Sequence, residues 1–258
     1  MGNLLGAVLL VLTASAYAKP AKTTAKAAAK AAISSAAAGT ELTAYAPSTA
    51  PITIPLIALR FAETDAKIST LKANFKQSVR MEGSDVVQTV EGDVVFRKPD
   101  LLRLTHRIPE PQTVVSDGTY LWVYRNSTNQ VIQSRLETWR KSEPLAQGLL
   151  DFGKSADMLS RYATEITTVS AAGADGHRTF TLTLTPKAAD KNGADSDFTL
   201  TLKASTKDFF PGDATLKVGR AVIRSRFEDV RLNPELSVET FKFTPPADAD
   251  LFKSPEPK

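Results

Sequence analysis

Thr179-Phe180-Thr181-Leu182-Thr183-Leu184-Thr185 places every apolar side chain two residues from the next, with threonine between them. Side chains of a β-strand point alternately to its two faces, so this spacing puts phenylalanine and leucine on one face and hydroxyls on the other. Phe198, Leu200 and Leu202 repeat the pattern, and Asn192-Gly193 lies in the polar loop between the two runs. Such runs, joined by turn chemistry, predict antiparallel strands with one dry face and one wet face.

The same pattern extends in both directions. Downstream, Ala221, Ile223 and Phe227 face one way while Arg224, Arg226 and Glu228 face the other, and Phe241 and Phe243 end the series before Pro245-Pro246. Upstream lie Val86–Arg97, closed by Pro99, and Leu101–Arg107, where Arg103 separates Leu102 from Leu104. Thr113–Val115 then runs through the turn signal Asp117-Gly118 into Tyr120–Tyr124. Before them Ile57, Phe61, Ile68, Leu71 and Phe75 keep to one stripe, which predicts an amphipathic helix over 56–72 and strand from Asn74. Residues 130–162 break the strand series. Ser142-Glu143-Pro144 reads as a helix start with Leu145, Leu149, Leu150 and Phe152 at helical spacing. Ser155 can cap a second short helix bearing Met158, Leu159 and Tyr162. The resulting expectation is a mainly β domain with some α: an incomplete, half-open antiparallel β-barrel whose few helices cap its concave face as a lid.

The N-terminal residues divide differently. Met1–Ala18 carries an apolar run from Leu4 to Leu12 and ends in Ala16-Tyr17-Ala18, which fits an A-x-A cleavage pattern. The run is far shorter than the roughly 20 apolar residues a membrane-spanning helix needs. Residues 1–18 therefore read as a secretory signal peptide, although no Lys or Arg precedes the apolar run. Residues 19–55 are an Ala/Lys/Pro-rich disordered linker, with Lys22, Lys26 and Lys30 on an alanine background and then Pro47, Pro51 and Pro55. A basic tether to anionic lipid and a plain spacer both fit this stretch, and the spacer is preferred. The domain is placed at 56–258, with its boundary near Pro55.

Charge and composition narrow the function. The chain's net +4 includes +3 from residues 19–55, so the domain is left with +1. A near-neutral domain argues against nucleic acid. Arg97, Lys98, Arg103 and Arg107 lie close together in sequence and could meet phosphate, and Trp122, Tyr124 and Trp139 could stack on a base or sugar, but core packing explains the aromatics as well. The absence of cysteine removes disulfides, thiol nucleophiles and an N-terminal lipid-modified cysteine. His106 and His177, the two histidines, have no second ligand at metal spacing and read as strand or surface residues. Asp190–Asp197 resembles a calcium loop but lacks the distal glutamate, so hairpin chemistry is preferred. Asp117 reads as a turn residue. Neither a phosphate-binding glycine loop nor a nucleophile elbow is present. The expectation is a protein that is not an enzyme, with no cofactor and no metal.

The order of motifs resembles the outer-membrane lipoprotein carrier family, LolA. The matching pieces are Phe75-Lys76-Gln77-Ser78-Val79; Glu91–Pro99, ending in Arg97-Lys98-Pro99; Val114–Tyr124, with Ser116-Asp117-Gly118 and Leu121-Trp122; Leu182–Lys187; and Phe241-Lys242-Phe243-Thr244-Pro245-Pro246. They cover about 57–250. The resemblance implies a hydrophobic cavity under a helical lid that shelters lipoprotein acyl chains. It also implies a periplasmic monomer that receives lipoproteins from an inner-membrane lipoprotein-releasing ABC transporter and delivers them to an outer-membrane acceptor. The alternative function on the same fold is a periplasmic lipid or lipoprotein sensor or adaptor without transfer. The candidate cavity and lid residues are Phe75, Phe96, Lys98, Leu102, Leu104, Leu145, Leu149, Leu150, Met158 and Leu159. Two features depart from the family. Lys98 stands where arginine is usual before the proline, and Leu102 and Leu104 stand where aromatics are common.

Overall fold

The computed structural model describes residues 44–142, 154–187 and 198–254. Helix α1 (Ile54–Lys67) leads into strands β1 (Thr70–Met81), β2 (Val87–Arg97), β3 (Leu101–Ile108), β4 (Gln112–Asp117), β5 (Tyr120–Arg125) and β6 (Gln130–Arg135). Helices α2 (Leu136–Ser142) and α3 (Ser155–Arg161) follow. Strands β7 (Ala163–Val169), β8 (Thr179–Thr185), β9 (Phe198–Ser205), β10 (Asp213–Val218) and β11 (Ala221–Leu232) complete the wall. A 3-10 turn at Val238–Phe241 and strand β12 (Asp250–Lys253) are the last regular elements among the described residues.

The twelve strands form one sheet in the order β12-β6-β5-β4-β3-β2-β1-β11-β10-β9-β8-β7. Its two ends, β12 and β7, are not bonded to each other, so the barrel is incomplete. Neighbours are antiparallel, as expected from short connections, except that β12 runs parallel to β6 over Asp250–Lys253 and Gln130–Gln133. A parallel partner needs a long crossover. Residues 136–249 separate these two strands, and the last stretch, 233–249, leads from β11 across the outer face of β3 and β4.

Helix α1 is shorter than the expected 56–72. It starts at a Thr53 cap whose hydroxyl accepts from the Leu56 N–H, holds Pro55 in its first turn, and ends at Lys67. Leu71 belongs instead to β1, together with Phe75 as expected, and residues 71, 73 and 75 of that strand are all buried. Those positions satisfy a helical stripe and a strand period at once, and the sheet pairing decides between them. Asn233 fixes the change of direction. Its side-chain oxygen accepts from the N–H and hydroxyl of Ser69, and its amide donates to the Lys67 carbonyl.

Other expectations are corrected. Residues 130–135 form β6 and do not break the series; α2 begins at Leu136. Ser155 is the first residue of α3 and does not cap it; Lys154 holds the cap position without a side-chain bond. Strand β10 was not foreseen, and Phe241 ends a 3-10 turn where strand had been expected. Packing against the domain starts ahead of Pro55: the Tyr45 N–H donates to Lys207, and its ring meets Phe209 edge-on at 5.3 Å between centroids. Ser142, the expected start of a helix, is instead the last residue of α2, and the rest of that stretch, 143–152, and the Asn192-Gly193 loop lie outside the described residues.

Candidate functional site

The inner face of the sheet carries two apolar groups. In the first, Phe180, Leu182, Leu184, Phe198, Leu200, Leu202 and Leu216 form the staves, and Ile57 and Phe61 of α1 with Met158 and Leu159 of α3 lie over them. In the second, Leu71, Phe75, Val94, Phe96, Leu102, Leu104, Val114 and Leu121 pack with Leu136 and Trp139 at and within α2. Of the candidate lining residues, Phe75, Phe96, Leu102 and Leu104 are thus brought together in one group and Met158 and Leu159 in the other. Leu145, Leu149 and Leu150 lie outside the described residues. Leu136 and Trp139 were not among the candidates, because they precede the run at Leu145 that the periodicity picked out.

Lys98 meets the lid helix directly. It lies in the turn between β2 and β3, and its ammonium donates to the backbone carbonyl of Asp65 on α1. The Asp65 carboxylate accepts from the Ala156 N–H in the first turn of α3 at 2.9 Å, so one residue joins both lid helices. Burial raises the Asp65 pKa above the ordinary carboxylate value, against the opposing pull of the bonds from Ala156 and Ser155 and of the Lys98 charge. Burial also lowers the Lys98 pKa, which the nearby Asp65 charge partly offsets. No motif flagged Asp65; a lone aspartate in a predicted helix looks like solvent-facing charge.

The four basic residues near one strand pair are already engaged. Arg97 donates to the Leu236 carbonyl at 2.8 Å, and Arg103 to the Thr240 carbonyl at 3.2 Å. Arg107 pairs with Asp93. Arg97 and Arg103 hold the C-terminal segment against the outer face, where Phe243 packs on Trp122 and Tyr124 with ring centroids 5.7 and 6.1 Å away. Asp117 serves its turn. One of its oxygens accepts from the Thr119 and Tyr120 N–H groups and the other from the Trp122 indole. Phosphate or base recognition on this face has no support in these contacts.

The inner face also carries buried polar side chains, Gln77, His106, Ser116 and Ser134 among them. His106 is 8% exposed, on the same side of β3 as Leu102 and Leu104, and its ring meets Phe75 edge-on at 5.8 Å. Burial lowers its pKa from 6.5 to about 4, so the imidazole is neutral near pH 7. Its cross-strand partner on β4 is Gln112. His106 Nε2 and Gln112 Nε2 are both buried and have no hydrogen-bond partner in the protein. A buried polar atom left in this state costs about 1–3 kcal/mol. Across from them, Gly92 leaves room for the Phe75 ring: a Cβ there would stand 2.7 Å from that ring and 2.1 Å from the Thr105 carbonyl oxygen. Among the described residues, no three His, Asp or Glu side chains are grouped to hold a metal ion.

Comparison with known proteins resolves the family. The sequence profile described as "Outer membrane lipoprotein carrier protein LolA" matches residues 66–244. The chain belongs to the LolA family. The outer-membrane lipoprotein carrier protein of Dechloromonas aromatica is 31% identical over 184 residues, covering 70% of this chain and 80% of that protein. The counterpart in Nitrosospira multiformis is 27% identical, covering 70% of this chain and 81% of its own length. Among solved structures, the LolA superfamily protein NE2245 of Nitrosomonas europaea aligns at 14% identity with a TM-score of 0.42, over 75% of this chain and 99% of its own. The LolA match begins at residue 66, leaving α1 almost wholly outside it, yet α1 supplies the fully buried Phe61 of the lid.

Proposed function

We propose that this LolA-family chain is a periplasmic carrier that shelters lipoprotein acyl chains and moves them from the inner to the outer membrane. The observation that carries the reading is how the inner face is covered. The staves of β8–β10 are roofed by two helices that reach them through a few side chains, chiefly Ile57, Phe61, Met158 and Leu159. Each buried CH₂ is worth about 0.8 kcal/mol, so an acyl chain crosses water only where comparable apolar burial is on offer. A roof made of a few side chains can move aside and expose apolar staves to a chain that replaces them. Leu145, Leu149 and Leu150 extend this lid in the proposal, and Phe75, Phe96, Leu102 and Leu104 supply the far wall. Lys98 and Asp65 act as the latch.

The donor is an inner-membrane lipoprotein-releasing ABC transporter and the recipient an outer-membrane acceptor. The protein works as a monomer and catalyses no reaction. Residues 1–18 direct export and are removed, and residues 19–55 serve as a spacer that takes no part in uptake. The test is to incubate the mature protein with spheroplasts and to separate released lipoproteins by size. Soluble complexes of lipoprotein with this chain are expected. Binding to the membrane without release would instead mark a sensor or adaptor and refute the carrier.

A further inference from the structure

We propose that His106 and Gln112 form a polar subsite on the inner wall that receives an uncharged acyl carbonyl of the bound lipid. This deepens the carrier reading and rests on it. The two residues are cross-strand partners, so their side chains leave the sheet side by side on the same face. That face is the one lined by Leu102, Leu104 and Val114, where acyl chains would lie. Each side chain has a buried nitrogen with no partner in the protein. Buried polar atoms in folded proteins are nearly always bonded, so two in register on one wall call for an explanation.

The chemistry of the pair selects the ligand. A glutamine amide nitrogen is only a donor, and a neutral imidazole can donate from one ring nitrogen. Two donors side by side suit an oxygen acceptor. Burial disfavours the charged form of His106, which makes the spot poor for a phosphate or carboxylate and suitable for a neutral carbonyl. The surroundings are built to hold this geometry. Phe75 lies across Gly92, in space that a Cβ would deny it, and its ring meets the imidazole edge-on. An acyl chain bound along the leucines would therefore have its polar end registered by two hydrogen bonds, while the hydrocarbon binds without regard to position.

The test uses two fluorescent peptides, each beginning with a lipid-modified cysteine. One carries a dipalmitoyl ester and the other the dihexadecyl ether, which has the same chains but no carbonyl. The mature wild-type protein is expected to bind the ester at least tenfold more tightly. The double variant His106→Leu, Gln112→Leu should bind both alike, with its ether affinity at or above the wild-type value. A third peptide, with an N-palmitoyl amide added to the ether, distinguishes an amide from an ester as the source of the oxygen. The ¹⁵N shift of the His106 imidazole should move with ester and stay still with ether, a readout that needs no variant to fold. Equal binding of ester and ether by the wild type would overturn the subsite and leave the carrier reading standing. Binding of neither would overturn both.

Discussion

The two halves of the sheet are built differently. From β8 to β10 the inner face is wholly apolar, and its cover is α1 and α3; the outer threonines of β8 remain partly or fully exposed. From β3 to β6 the sheet is covered on both sides, by α2 within and by the C-terminal segment without. Val115 and Val131 are fully buried on the outer side, and the inner side includes His106, Gln112, Ser116 and Ser134. The first half is therefore an apolar wall under a two-helix roof, the part that the proposed function requires to move. The second is a wall held from behind, able to keep polar groups in fixed positions on its inner face. A carrier needs both properties: a surface that can be uncovered at modest cost, and a frame that does not follow the lid when it moves.

Removing the roof's anchor should break the comparison most strongly. Phe61→Ala deletes a side chain with no exposure, and destabilisation of about 3–5 kcal/mol is expected in urea unfolding. Hydrogen exchange should accelerate mainly in β8–β10 and much less in β2–β5. Equal acceleration in both would mean that the halves are one cooperative unit.

Acid should act through the second half. An unfolded histidine takes a proton below about 6.5, whereas His106 in the fold resists until about 4. The unfolded state thus binds more protons between these values, so stability is complete above 6.5 and falls as pH drops towards 4. The loss is about 3 kcal/mol by linkage. Asp65 and Asp208, whose pKa values are raised by burial, act in the opposite sense as pH approaches 3.8. The difference between wild-type and His106→Gln unfolding curves isolates the histidine; an unchanged pH profile in the variant would contradict its burial as a neutral base.

The smallest effect sharpens the account of the frame. Arg97→Met removes the bond to the Leu236 carbonyl and should cost about 1–2 kcal/mol. The loosened region should be the C-terminal segment and β12, read by proteolysis, with α1 and α3 unaffected.

Particular residues show how far the sequence could be read. Strand period identified β2, β3, β8 and β9, because each has one face buried and the alternation is clean. It missed β6, where Gln130, Ile132 and Ser134 share the inner side and Val131 is buried on the outer. The polar-out rule fails there because the strand is covered from behind. The candidate wall residues Phe75, Phe96, Leu102 and Leu104 were legible as apolar positions in strands, but nothing local placed them in a group apart from Met158 and Leu159. Asp65 and His106 had no signal at all: a carboxylate in a helix and an imidazole in a strand are ordinary until their neighbours are known.

What the chain determined by itself is the alternation that makes an antiparallel sheet with one apolar face, since that depends on side chains two residues apart. The tertiary structure alone decided which face each covering segment took, where α1 yields to β1, and which polar side chains end up without water. Those outcomes depend on contacts between residues far apart in sequence, such as Asn233 with Ser69 or Arg97 with Leu236, and on the desolvation they impose.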